Sequence, residues 1–189
     1  MNAQARTPRL TQLIALTLAL GGSAAMAQSA GHSYFDFKLG QSSFDTNCGN
    51  FYRCDNSDTS FGITYGQDID RHLGVEFGYT DYGSATRGGG DLKASAANAS
   101  LVARLPLNQL SLFGKVGLAY GWTDSRPANF SDVSAGKDSG FGPQIGLGVA
   151  VDLNKTTAVV LQWEQSQLPF AGESSRAVDN TSVGLRLKF

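Results

Sequence analysis

The most constraining feature of this sequence is an alternation of apolar residues with small or polar residues along most of the chain after residue 32. Leu73, Val75 and Phe77, for example, fall on one face of a segment, and the residues between them are glycine and glutamate. A period of two is typical of a β-strand whose faces meet different surroundings. Eight segments show the pattern: 33–42, 60–69, 73–82, 92–105, 110–122, 139–153, 157–167 and 180–189. The sequence therefore predicts an all-β protein with eight strands.

The lengths of the segments and of their connections indicate strands that cross a membrane. The segments have ten to fifteen residues, whereas strands of soluble proteins usually have about five or six and tilted membrane-spanning strands about nine to eleven. Short turns at 70–72, 106–109 and 154–156 alternate with longer loops at 43–59, 83–91, 123–138 and 168–179. This alternation is typical of outer-membrane barrels. We therefore predict an eight-stranded antiparallel up-and-down transmembrane β-barrel with both chain ends on the short-turn, periplasmic side.

The polarity of the two faces distinguishes this barrel from a soluble one, in which the apolar face would lie inside. A lumen enclosed by eight strands only just accommodates side chains, and it is too narrow for eight rows of Phe, Leu and Trp. The other face carries Gly, Ser and a few charges, so we assign that face to the lumen and the apolar face to lipid. Aromatic residues near the strand ends fit interfacial girdles. They are Tyr79, Tyr82, Tyr120 and Trp122 at the loop ends, with Tyr34 and Phe189 at the opposite rim.

The first segment is predicted to be a secretory signal. Two arginines precede an apolar stretch at residues 10–20, which is shorter than the roughly 20 apolar residues of a spanning helix. Residues 25–27 form an A-x-A cleavage site. We therefore expect residues 1–27 to be cleaved and residues 28–189 to form the barrel domain; a retained membrane anchor is the alternative.

Several segments resemble a known family. The last one, 183–189, alternates apolar residues up to Phe189 and resembles the C-terminal signature of outer-membrane barrels, which the barrel-assembly machinery reads. Segments 63–79, 101–107 and 116–122 are similar in order and spacing to strands two to five of the OmpA-like transmembrane domain. The resemblance covers essentially the whole predicted mature chain. It implies the outer membrane of a Gram-negative bacterium, contact with lipid and lipopolysaccharide, and Phe189 as the assembly signal.

The same resemblance implies a charge pair inside the barrel. In the family, a glutamate on the third strand pairs with a basic residue at the end of the fourth, and Glu76 and Arg104 occupy those positions. The family's second acid–base pair is missing, because its positions fall near Ala150 and Val160. Charges in so narrow a lumen must be paired, so we expect a network that either fills the lumen or acts as a proton- or ion-gating switch. Its candidate members are Glu76, Arg104, Lys115, Arg186, Lys38, Asp152 and Glu164.

The cysteines and histidines bear on possible chemistry. Cys48 and Cys54 lie in the first long loop of an exported chain, where an oxidising compartment favours a disulfide over free thiols or a metal site. His32 and His72 both lie at the short-turn end. Barrel enzymes place their Ser/His/acid cluster at the opposite rim, so we predict that the chain is not an enzyme and needs no metal or cofactor.

Three non-enzymatic roles are open at this point. A formal net charge of −1 lacks the basic excess of a nucleic-acid-binding protein. The first role is support of the envelope by a barrel whose lumen is largely plugged, and another is a small pore of low conductance. The third is an adhesin or receptor that contacts a host or cell-surface ligand through its loops. Candidate contacts for that role are Phe51, Tyr52, Arg53, Arg87, Arg126, Phe130 and Phe170.

Overall fold

Eight strands make up nearly all of the described chain. The computed structural model describes residues 32–45, 57–87, 90–126, 136–170 and 173–189. The strands are β1 (Ser33–Phe44), β2 (Ser57–Asp68), β3 (Leu73–Arg87), β4 (Gly90–Leu107), β5 (Leu110–Arg126), β6 (Gly136–Asp152), β7 (Thr157–Phe170) and β8 (Glu173–Lys188). The signal segment, Cys48 and Cys54 lie outside the described residues, so cleavage and the disulfide stay predictions.

The strands close into a barrel. Each strand pairs antiparallel with the next, and β8 returns to pair with β1. Phe37 on β1, for example, lies opposite Ile63 on β2 and Leu185 on β8. Closure pairs the backbone groups that an open sheet would leave at its edges, as a hydrocarbon environment requires. The predicted eight-stranded antiparallel barrel is confirmed.

The two ends of the barrel are built differently. At the turn end, residues 69–72, 108–109 and 153–156 join successive strands. At the loop end, the strands run further than the sequence predicts: β3 continues to Arg87, and β8 begins at Glu173. Among the described residues, no helix is long and apolar enough to span a membrane.

The outer wall carries an apolar band around the barrel. Its exposed members include Phe37, Phe77, Leu101, Val116, Phe141, Leu147, Leu161 and Leu185. At the border of the band nearer the loop end, Tyr120 packs edge-on against Trp122 and Phe141, with ring centroids 5.1 and 4.8 Å apart. Tyr34 and Tyr82 are not girdle residues, because both occupy inward positions of their strands and are buried in the lumen. The girdle prediction is wrong for these two tyrosines.

The extra strand length at the loop end reflects an inversion of the alternation. Beyond the apolar band, outward positions are polar, as at Gln41, Thr59 and Lys93. Many inward positions there are apolar and form a cluster, the loop-end cluster: Phe44, Tyr82, Ala85, Leu92, Ala94, Ala96, Ala119, Leu168, Phe170 and Val178. The sequence prediction follows the outward apolar pattern, so it ends several strands where that pattern stops.

A bulge in β3 lies at the level of this cluster. The β3–β4 register shifts between Asp81 and Ser84, and Gly83 between them has a φ of +75°. A Cβ at Gly83 would lie 2.5 Å from a carboxylate oxygen of Asp58. The same oxygen accepts a hydrogen bond of 2.6 Å from the backbone N–H of Ser84. Glycine is therefore required here both for backbone conformation and for space.

Candidate functional site: charges in the lumen

Six charged side chains meet in the middle of the lumen. They are Asp36, Lys38, Glu76, Lys115, Glu164 and Arg186, all buried. They sit on the inward positions of β1, β3, β5, β7 and β8, so the alternation of each strand aims them at the same space. The set contains three cations and three carboxylates, so its formal charge is balanced.

Lys115 links opposite walls of the barrel. Its Nζ lies 2.5 Å from Oε1 of Glu164 and 3.2 Å from Oε2 of Glu76. Lys38 approaches the other oxygen of Glu164, with Nζ 3.6 Å away. These contacts connect β1, β3, β5 and β7 through the lumen, in addition to the backbone ladders around the wall.

Neutral amides complete the surroundings of Glu164. Gln162 donates from Nε2 to Oε2 at 2.6 Å, and Gln144 donates from Nε2 to Oε1 at 3.0 Å. A buried carboxylate is tolerated only when its lone pairs are satisfied. The two glutamines therefore stabilise Glu164 inside the lumen together with the two lysines.

Arg186 joins the two ends of the sheet. Its Nε and Nη2 donate to the two carboxylate oxygens of Asp36 at 2.8 and 2.7 Å, a bidentate geometry that suits a planar guanidinium. Asp36 and Arg186 are cross-strand neighbours on β1 and β8. The guanidinium carbon lies 3.9 Å from the centroid of the Tyr34 ring, and Tyr34 donates its hydroxyl to Oε1 of Glu76 at 2.6 Å.

The predicted pair between Glu76 and Arg104 is wrong. Glu76 lies opposite Ser100, and Arg104 is four residues further along β4 toward the turn end, a distance of about 13 Å along a strand. Arg104 instead forms an ion pair with Asp68 and donates a hydrogen bond to the hydroxyl of Tyr34. Tyr34 therefore stands between the two residues that the resemblance places in contact.

Asp152 also lies apart from the central network. Its Oδ1 accepts a hydrogen bond of 2.6 Å from Nζ of Lys188, and both side chains are part-exposed at the turn end.

In the turn at residues 69–72, the backbone N–H groups of His72 and Leu73 donate to Asp70 at 2.6 and 2.8 Å. These two hydrogen bonds hold the pKa of the Asp70 carboxyl below its usual value.

Four network residues are absent from the sequence-predicted set: Tyr34, Asp36, Gln144 and Gln162. Each of the four lies an even number of positions from a predicted inward charge on the same strand, so the alternation alone predicts that it faces the lumen. The two glutamines are easily passed over because a search for paired charges does not weigh neutral amides.

The structure describes only some of the residues predicted to contact a ligand at the loops. Phe170 is fully buried in the loop-end cluster, so its assignment as a surface contact is wrong. Arg126 is exposed and pairs with Asp124, with Nη2 2.9 Å from Oδ2. Phe51, Tyr52, Arg53 and Phe130 lie outside the described residues, as does the side chain of Arg87. No cluster of His, Cys, Asp and Glu suited to a metal occurs among the described residues.

Comparison with known proteins relates this architecture to a family. Residues 13–189 match the family model described as the outer membrane protein beta-barrel domain. Among curated proteins no significant match is found.

Several solved structures share the fold. Ail, the attachment invasion locus protein of Yersinia pestis, is 19% identical with a TM-score of 0.58, over 84% of this chain and 99% of that chain. Neisserial surface protein A is 14% identical with a TM-score of 0.61, over 85% and 98%. The N-terminal β-barrel domain of Pseudomonas aeruginosa OprF is 11% identical with a TM-score of 0.58, over 84% and 97%. A further structure holds Ail in complex with the heparin analogue sucrose octasulfate. At these identities the likeness establishes the fold alone.

Proposed function

The chain belongs to the family of outer membrane protein β-barrel domains, and on that basis we propose that it is a non-enzymatic barrel that supports envelope structure. Its lumen is closed to solutes, and the protein works through its wall and its loops. The observation that carries this proposal is the filling of the lumen at two levels. Six buried charges cross it in the middle, and the loop-end cluster of apolar side chains fills it above them.

The two levels oppose permeation for different physical reasons. An ion that enters the central network must separate charges held at 2.5 to 3.6 Å in pairs, which costs several kcal/mol in a buried setting. An ion that enters the loop-end cluster must shed water among side chains such as Leu92, Leu168 and Phe170, which are fully buried. Either level alone disfavours a steady pore.

The proposed placement follows the construction of outer-membrane barrels. The turn end and both chain ends face the periplasm, and the loop end faces the outside. The apolar band contacts lipid, with lipopolysaccharide in the outer leaflet. Residues 1–27 are removed during export, Phe189 is read by the barrel-assembly machinery, and Cys48 and Cys54 form a disulfide. Intact-mass analysis of protein extracted from outer membranes tests the cleavage, and a thiol assay on denatured, unreduced protein tests the disulfide.

Planar-bilayer recording of the refolded protein tests the closed lumen. We expect silence or rare brief openings, with insertion verified by the tryptophan fluorescence of the same preparation and a conducting porin as the positive control. A steady ohmic conductance in every insertion would contradict the proposal and make the inward charges selectivity residues.

The same recording separates a static network from a gating switch. Glu76→Ala removes the carboxylate that Lys115, Arg186 and Tyr34 share. If the network only fills the lumen, the variant stays silent because the loop-end cluster remains. A reproducible rise in conductance would instead favour gating by the network.

A second candidate role is attachment through the loops. Ail is named as an attachment invasion locus protein and binds a sulfated heparin analogue, and this chain presents exposed Arg126 and Lys137 at its loop end. Replacing the segments 46–56 and 127–135 by short turns, together with Arg126→Gln and Lys137→Gln, tests this role in cells that display the barrel. Loss of cell binding at unchanged surface display supports it, and unchanged binding contradicts it.

A further inference from the structure

The turn end of the barrel opens into a polar cavity that the closed-lumen proposal does not use. The cavity has a volume of about 250 Å³ and lies below the central network. Tyr34 and Phe113 line it together with six charged residues: Asp68, Arg71, Arg104, Asp152, Lys155 and Lys188. Arg186, which Asp36 neutralises, also borders it. The cavity is therefore lined by more cations than carboxylates.

Both carboxylates of the cavity are already paired. Asp68 pairs with Arg104, and Asp152 pairs with Lys188 at 2.6 Å. Arg71 on the turn 69–72 and Lys155 on the turn 153–156 are exposed, and neither forms an ion pair with another described residue. Two uncompensated positive charges from different turns thus border one concave space.

The cavity also has a rigid cationic side. Asp68 and the hydroxyl of Tyr34 hold the guanidinium of Arg104, whose central carbon lies 4.9 Å from the centroid of the Tyr34 ring. The Nε of Arg104 is buried and has no hydrogen-bond acceptor within the described part of the chain. Donors therefore exceed acceptors around Arg104 at this level of the lumen.

We propose that the turn-end cavity binds a small oxyanion, a phosphate or a carboxylate, between Arg71 and Lys155 and against Arg104 and Lys188. Oxyanions suit the donor set, because guanidinium and ammonium groups form charge-assisted hydrogen bonds with both classes. The anion has two possible sources: a free small molecule at the turn end, or the headgroup of an anionic lipid whose phosphate reaches the mouth. The cavity lies outside the two levels that fill the lumen, so failure of this proposal leaves the closed-lumen proposal standing.

Calorimetric titration of the folded full chain in a zwitterionic detergent tests the site, with inorganic phosphate and succinate as the probes. We expect saturable binding of at least one probe with one site per chain. The variant Arg71→Gln/Lys155→Gln removes only exposed turn charges, so the barrel is expected to keep its unfolding midpoint. It should weaken binding at least about tenfold, since each lost charge-assisted contact contributes roughly that factor or more.

A matched variant controls for general attraction of anions to the protein. Lys93→Gln/Lys137→Gln also removes two positive charges, but from the outer wall at the loop end, away from the cavity. This variant should change the affinity for the probe by less than about twofold. Absence of saturable binding of both probes, or equal weakening in the two variants, overturns the proposal. Repeating the titration in vesicles with and without an anionic lipid distinguishes the sources: weaker phosphate binding with the anionic lipid identifies the headgroup, and unchanged binding identifies a free anion.

Discussion

Replacement of Lys115 by methionine is the sharpest test of the central network. The ammonium of Lys115 lies 2.5 Å from Glu164 and 3.2 Å from Glu76. Among the described residues, it is the only cation that forms an ion pair with both of these carboxylates. Methionine keeps an unbranched stem of similar length, so the variant removes the charge without opening a large cavity. The central network then keeps its three carboxylates but only two of its three cations.

The expected cost follows from what each carboxylate keeps. Removing one partner of a buried ion pair costs about 3–5 kcal/mol, because the remaining charge stays buried without compensation. Here Glu164 keeps Lys38 at 3.6 Å, and Glu76 keeps Arg186 at 3.5 Å. Partial compensation places the loss in the free energy of unfolding near the lower limit, at about 3 kcal/mol.

Urea unfolding in detergent, followed by the emission of Trp122 and Trp163, measures this loss by linear extrapolation. The double variant Lys115→Met/Glu164→Gln removes one charge of each sign and restores the balance. In a double-mutant cycle, its loss in unfolding free energy should be smaller than the sum of the two single-variant losses by at least about 1.5 kcal/mol, which is the coupling energy of the pair. Lys137→Met is the matched control. This lysine is 80% exposed and lies 3.9 Å from Asp124, so its removal should cost no more than about 0.5 kcal/mol.

A buried ion pair at Lys115 is contradicted if Lys115→Met is no more destabilising than Lys137→Met. The pair is also contradicted if the loss in unfolding free energy of the double variant equals the sum of the two single-variant losses, because the two charges then act independently.

Three further predictions concern glycines and a turn carboxylate. Gly66→Ala would place a Cβ 2.0 Å from the Tyr34 ring and should lower the free energy of unfolding by about 1–3 kcal/mol through overpacking. Gly114→Ala is the control: its Cβ approaches no atom closer than 3.4 Å, so this variant should unfold at nearly the wild-type urea midpoint. Gly83→Ala forces a non-glycine residue to a φ of +75° and should lower the unfolding free energy by at least about 1–2 kcal/mol, and an unchanged midpoint contradicts this. The carboxyl of Asp70 has a lowered pKa in the folded state, so its contribution is present above the unfolded value near 3.8 and is lost as pH falls through the folded value. The destabilisation by Asp70→Ala, measured against pH, should therefore shrink in strong acid; a constant difference across that range contradicts it.

Much of the fold can be predicted from the sequence, because one pattern, the alternation of outward apolar residues, repeats in every strand. Eight strands, their order and their closure follow from it, together with the narrow lumen that an eight-stranded barrel encloses. The same signal places several strand ends too early at the loop end, where the inward face becomes apolar, as at Leu92 and Phe170. A rule that follows only the outward face cannot see an inversion of the pattern.

The sequence predicts which charged residues lie in the lumen, but it does not predict which of them form pairs. Parity places Glu76, Lys115 and Arg186 in the lumen, and the structure brings the two cations within ion-pair distance of Glu76. Parity does not give the height of each residue along the barrel axis. That height depends on the registers, and it separates Arg104 from Glu76 and leaves Tyr34 between them.

The bidentate contact between Asp36 and Arg186 has a consequence for the order of folding. Its two residues are 150 positions apart in the chain. The contact therefore forms only when the first and last strands meet, and it must overcome the entropic cost of closing that long loop. Before that event, Arg186 and Asp36 face the interior of an open sheet without each other, and a charge left unpaired in lipid is costly. Intermediates with most hairpins formed but the ring still open are therefore disfavoured inside the bilayer. The chain should enter the membrane and close in a single cooperative step, in which the slow event is the meeting of its two ends.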